Sequence, residues 1–118
     1  MNNLEQELKQ FISKYHRENH DLAIQQANVL FKQYPREIEL FKSIGMLFLQ
    51  HNKLRDAIMV LKKILDLKPN SVEILINTGL AYYQLNQLDL ALEFLDKAKK
   101  LDIKRTEIYY SLGLVYEK

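Results

Sequence analysis

Three histidines, His16, His20 and His51, are the residues of this sequence best suited to holding a metal ion or moving a proton. His16 and His20 have the four-residue spacing at which two imidazoles on one helical turn can share an ion. A turn is expected between them, which takes them off a common face, and all three lie at or beside expected helix ends. They therefore read as solvated turn residues. With no cysteine, disulfides, thiolate nucleophiles and cysteine-based zinc sites are excluded. There is no HExxH, no glycine-rich phosphate loop and no Ser–His–acid grouping with supporting motifs. The expectation is a protein that is not an enzyme, with no catalytic residues, cofactor or metal.

The stretch KAKKLDIKR (97–105) is the best candidate for a phosphate or nucleic-acid contact. Lys97, Lys99 and Lys100 fall in the last turns of an expected helix, where cations suit the dipole. Asp96 and Asp102 dilute the patch, and no aromatic residue within it is placed to stack on bases. Lys plus Arg is 17 against 15 for Asp plus Glu, a net charge of +2, which argues against nucleic acid as a partner. No run approaches the ~18 apolar residues of a membrane span. The N-terminal MNNLEQELKQFISKYHRE is charged throughout, so no membrane insertion and a cytoplasmic location are expected.

The elements that position these residues repeat. The three glycines, Gly45, Gly79 and Gly113, are 34 residues apart, as are Pro35 and Pro69, and Ala23, Ala57 and Ala91. On this period SIGMLFLQHNKLRDAIMVLKKILDLKP aligns with NTGLAYYQLNQLDLALEFLDKAKKLDI, with SLGLVYEK below and DLAIQQANVLFKQYP above. Each unit reads as two amphipathic helices with apolar spacings of three and four. A mid-helix glycine costs roughly 1 kcal/mol against alanine, so a glycine column implies a partner helix too close for a Cβ. The alanine column is expected opposite it. Asn52 and Asn86 are placed to close the first helix in a left-handed conformation. Asn70, three residues before Glu73, is expected to cap the next unit. Helices are predicted over 4–17, 21–34, 37–50, 54–67, 71–84, 88–101 and 106–118, with Asn19 matching Asn52 and Asn86.

This pattern resembles the tetratricopeptide repeat (TPR), a 34-residue helix–turn–helix with L-G-x-x-Y, alanine, aromatic and proline columns. The departures are no Trp, with Phe41, Leu75 and Tyr109 in that column, Leu61 and Leu95 in the later aromatic column, and Ile103 for a third proline. The resemblance implies an all-α, right-handed solenoid of stacked antiparallel helix hairpins, about seven helices, in a single 1–118 domain. Its units are about 4–35, 37–69 and 71–103, with a half unit at 106–118.

It also implies that the first helices line a concave groove. By column the first unit offers Gln6, Lys9, Gln10, Ser13, His16 and Arg17. Farther along, Lys42, Met46, Leu49, Ile76, Asn77, Leu80, Tyr83, Tyr110 and Leu114 form a partly apolar strip suited to a peptide or amphipathic helix. The carboxylate clamp of chaperone-binding relatives is matched at two of five positions, since its columns read Lys42, Met46, Asn77, Glu107 and Ser111. The asparagine ladder of sugar-transferase relatives is reduced to Asn77. Glu39, Glu73 and Glu107 form a column in first helical turns, where a carboxylate favours the dipole.

The expected function is a bacterial-style, non-enzymatic protein-interaction scaffold whose partner is a protein or peptide. One alternative is an N-terminal docking or regulatory array of a larger enzyme such as a glycosyl- or sulfotransferase. The other is a self-assembling module. SLGLVYEK carries the first half of a repeat without the second, and its apolar residues leave little room for a polar outer face. Tyr109, Leu112, Val115 and Tyr116 are therefore expected to self-associate, in a homodimer through the C-terminal helix or within a longer array.

Overall fold

The computed structural model describes residues 3–15 and 20–118. Among these it contains seven helices and no strand. They are α1 (Asn3–Tyr15), α2 (His20–Gln33), α3 (Ile38–Gln50), α4 (Leu54–Leu67), α5 (Val72–Gln84), α6 (Leu88–Leu101) and α7 (Thr106–Glu117). Two predicted spans, 54–67 and 88–101, coincide with α4 and α6. The predicted end of the first helix at 17, and Asn19, lie outside the described residues.

The hairpin turns follow from two asparagines. Asn52 has φ 58° and Asn86 φ 62°, the left-handed region that a short amide side chain tolerates. After each, the next backbone N–H turns back onto the preceding helix: Lys53 to the Phe48 carbonyl at 2.8 Å and Gln87 to that of Tyr82 at 2.9 Å. These bonds satisfy carbonyls that a helix end would otherwise leave orphaned. The cap expected at Asn70 is not formed. Ser71, at φ −74° and ψ 103°, is the N-cap of α5 and makes no side-chain cap bond. The helix starts one residue later than the Asn–Glu pattern requires.

Packing closes each hairpin and then stacks it. Phe41, Ile44 and Phe48 of α3 are buried with Ala57, Leu61 and Ile64 of α4. Leu75, Ala81 and Tyr82 of α5 are buried with Ala91, Leu95 and Ala98 of α6. Phe31 of α2 meets Phe41 edge to face at 5.0 Å between centroids, joining the first hairpin to the second. Two core clusters result, and Leu49 and Leu65 pack against both.

The glycine column is not uniform. A Cβ on Gly79 would sit 2.8 Å from Leu95 Cγ and 3.3 Å from the Ala91 carbonyl oxygen, the close approach expected of the alanine column. At Gly45 the nearest atom is Val60 Cγ1 at 3.4 Å, ordinary contact with a valine rather than with Ala57. Nothing lies within 4 Å at Gly113.

Two of the residues expected to self-associate are corrected here. Leu112 (7% exposed) and Val115 (3%) are buried with Ile108 in the core under α5 and α6. One face of α7 is thus already used, and its exposed aromatic residues are Tyr109, Tyr110 and Tyr116.

Candidate peptide-binding groove

The first helices of successive units, α3, α5 and α7, carry the expected groove residues. Neighbouring helices cover much of the apolar strip. Ile76 is 2% exposed, so it is core and groove floor rather than exposed surface, a correction to its expected role. Met46 and Leu49 are half-buried against the core, as are Leu80 and Tyr83; Leu114 is half-buried as well. The strip was expected to be open because column positions carry no information on how tightly adjacent units close. Tyr110 alone stands far out, at 70% exposure.

What stays open is a cavity of about 360 Å³ between α5 and α7. Ile76, Leu80 and Tyr110 give it apolar walls, and Asn77, Thr106, Glu107 and Ser111 line the remainder. The Ser111 hydroxyl donates to the Glu107 carbonyl at 2.7 Å, so it is spent within its own helix. Asn77 offers a carboxamide, able to donate and accept, to anything lying in the groove.

The nearby charges are paired at the rim. Lys42 lies 3.7 Å from Glu73, and Arg105 lies 3.5 Å from Glu107. The last side chain, Lys118, reaches Asn86 Oδ1 at 3.4 Å and lies over the Tyr83 ring at 5.6 Å. Lys99 of the basic stretch lies over the Tyr109 ring at 5.6 Å. Of the first unit's groove residues, Gln6, Lys9, Gln10 and Ser13 are exposed on α1, whereas His16 and Arg17 lie outside the described residues.

The histidines differ from expectation in one respect. His20 is no solvated turn residue: the Tyr15 hydroxyl lies 3.1 Å from its Nδ1, and its Nε2 lies 2.6 Å from Asp56 Oδ2. These contacts link α1, α2 and α4, and the His51 ring packs on Tyr15 at 4.7 Å. Burial pushes the Tyr15 hydroxyl above its ordinary pKa, and the Asp56 charge adds to the shift. A Tyr–His–Asp chain suggests proton transfer, but none of the cavities described opens onto these residues. It acts as an inter-repeat tie. The pairing of His20 with Asp56, 36 positions away, had no signal in the sequence beyond near-agreement with the 34-residue period.

Among the described residues no group of three His, Cys, Asp or Glu side chains is placed to hold a metal ion. No helix among them is long and apolar enough to cross a membrane.

With groove and repeat geometry established, the comparisons agree with the resemblance. Residues 79–118 match the sequence model of the family described as TPR repeat. The chain carries tetratricopeptide repeats. A crystal structure of MamA is similar at 28% identity, with a TM-score of 0.73 over 91% of this chain and 63% of that one. MamA of MSR-1 matches at 19% identity and TM-score 0.74, over 98% of this chain and 67% of its own. A tetratricopeptide repeat protein from Parabacteroides merdae ATCC 43184 matches at 16% and 0.78, over 98% and 45%. The chain thus spans between about half and two thirds of these structures. No curated protein matches it by sequence. The likeness at such identities is one of fold: a TPR-type helical-repeat solenoid.

Proposed function

We propose that this TPR array is a non-enzymatic scaffold that holds an uncharged, apolar peptide or helix segment of a protein partner in its concave groove. The observation that carries this reading is the 360 Å³ cavity between α5 and α7, walled by Leu80 and Tyr110 and furnished with the Asn77 carboxamide. One large apolar side chain of a ligand fits between Leu80 and Tyr110, while Asn77 meets the ligand backbone. The paired states of Lys42 and Arg105 favour an uncharged segment, because a charged one must compete with Glu73 and Glu107. The same pairing opposes capture of a chain-terminal carboxylate.

The test is selection from a displayed peptide library on the immobilised chain, repeated on a Tyr110→Ala, Asn77→Ala variant. Tyr110 is mostly solvent-exposed, so the variant should keep the wild-type helical CD signal. Apolar peptides that bind the wild type and lose at least about tenfold in affinity on the variant support the groove. Binders unaffected by the variant, or a purely electrostatic set abolished by salt, refute it.

A further inference from the structure

We propose that the outer face of α7 is a homodimer interface in which two copies pair antiparallel about Gly113. The repeat itself shows that this face is made to be covered. Its register equivalents are Phe41, Gly45 and Phe48 on α3, and Leu75, Gly79 and Tyr82 on α5; all are buried beneath the next helix. On α7 the same three positions are Tyr109 at 44% exposure, Gly113 with open space at its Cβ, and Tyr116 at 70%. Ile103, 63% exposed, extends the patch, because the Tyr109 hydroxyl donates to its carbonyl at 2.6 Å and holds the ring beside it.

A second copy can cover this face with α7 and with no other helix. The second helices α2, α4 and α6, which have the small residues such a face receives, already bury Ala23 and Ala27, Ala57, and Ala91 and Ala98 in their own units. The α7 face is self-complementary. Gly113 is a flat floor, with a tyrosine four residues before it and another three residues after. In an antiparallel two-fold pair the glycines meet where the backbones come closest, and Tyr109 of each copy stands opposite Tyr116 of the other. Glu117, one turn beyond Gly113, then approaches the second copy's Tyr109, over whose ring Lys99 already lies at 5.6 Å. The face therefore supplies both members of two equivalent Glu117–Lys99 ion pairs.

A single helix pair is a small interface, so sedimentation equilibrium of residues 1–118 should give a dissociation constant on the order of 10–100 μM. Gly113→Leu fills the crossing point but meets no atom of its own chain, so it should keep the monomer's CD spectrum and weaken the dimer at least about tenfold. Glu117→Lys should weaken it as well, and adding Lys99→Glu should restore it. Because the chain has no cysteine, Gly113→Cys should cross-link to a disulfide dimer under mild oxidation, and Glu93→Cys should not. A strictly monomeric wild type up to about 500 μM overturns the proposal. So does a dimer whose affinity is unchanged by Gly113→Leu, which would lie on another face.

Discussion

Replacing each of the three glycines by alanine should give three different outcomes, although the positions are equivalent in the repeat. Alanine stabilises a helix interior by about 1 kcal/mol relative to glycine. At Gly79 the new Cβ lies 2.8 Å from Leu95 Cγ and 3.3 Å from a backbone oxygen. Leu95 is 0% exposed, so its branching carbon has nowhere to go. Overpacking of that kind costs roughly 1–3 kcal/mol, and the upper half of the range fits a clash with a branched, fully enclosed carbon. Gly79→Ala should therefore destabilise by about 1–2 kcal/mol after the helical gain is subtracted. Gly45→Ala makes ordinary contact with Val60, so the helical term should win and stabilise by about 0.5–1 kcal/mol. Gly113→Ala meets nothing and should stabilise by a similar amount, reduced by fraying near the helix end. Urea titrations followed by CD, at low micromolar protein to keep the chain monomeric, resolve these shifts. At an m-value of ~2 kcal/mol/M, 1 kcal/mol moves the midpoint by ~0.5 M. If Gly79→Ala is as stable as Gly45→Ala, or all three shift together, the Cβ clearances do not govern the helix contacts.

Two further expectations concern the first hairpin. A double-mutant cycle on His20→Ala and Asp56→Ala should return a coupling of about 1–2 kcal/mol, reduced from a fully buried charged bond by the partial exposure of both side chains. Hydrogen exchange should place the loss in α1 and α2, and an additive cycle would mean that the contact ties nothing. Alkaline pH should loosen the same hairpin. Tyr15 is raised by burial and by Asp56, and Tyr34 chiefly by its 2.6 Å hydrogen bond to Glu7. A hydroxyl with a higher pKa folded than unfolded contributes stability that is complete below about pH 10, the unfolded value. That stability is lost as pH rises through the folded value. Tyr15→Phe, Tyr34→Phe should flatten the alkaline limb of a melting-temperature profile; an unchanged limb removes these two groups as its cause.

The sequence by itself determined the repeat, because periodicity in glycine, alanine, proline and asparagine is a local property. Each marks a backbone event, such as the left-handed turns at Asn52 and Asn86, that needs no knowledge of distant residues. It also determined which helices form the groove. Tertiary structure decided how much of that groove is open. Spacing identifies which face Ile76 and Leu80 occupy, but only the distance between neighbouring units decides that one is floor and the other wall. The same holds for Gly45 and Gly79, identical in register yet different in clearance, since Val60 and Leu95 meet them from the opposing helix at different depths. Leu112 and Val115 look like an open edge when α7 is read as half a repeat. Folded, they complete the core against α5 and α6, because a helix added to a stack buries one face before it offers the other.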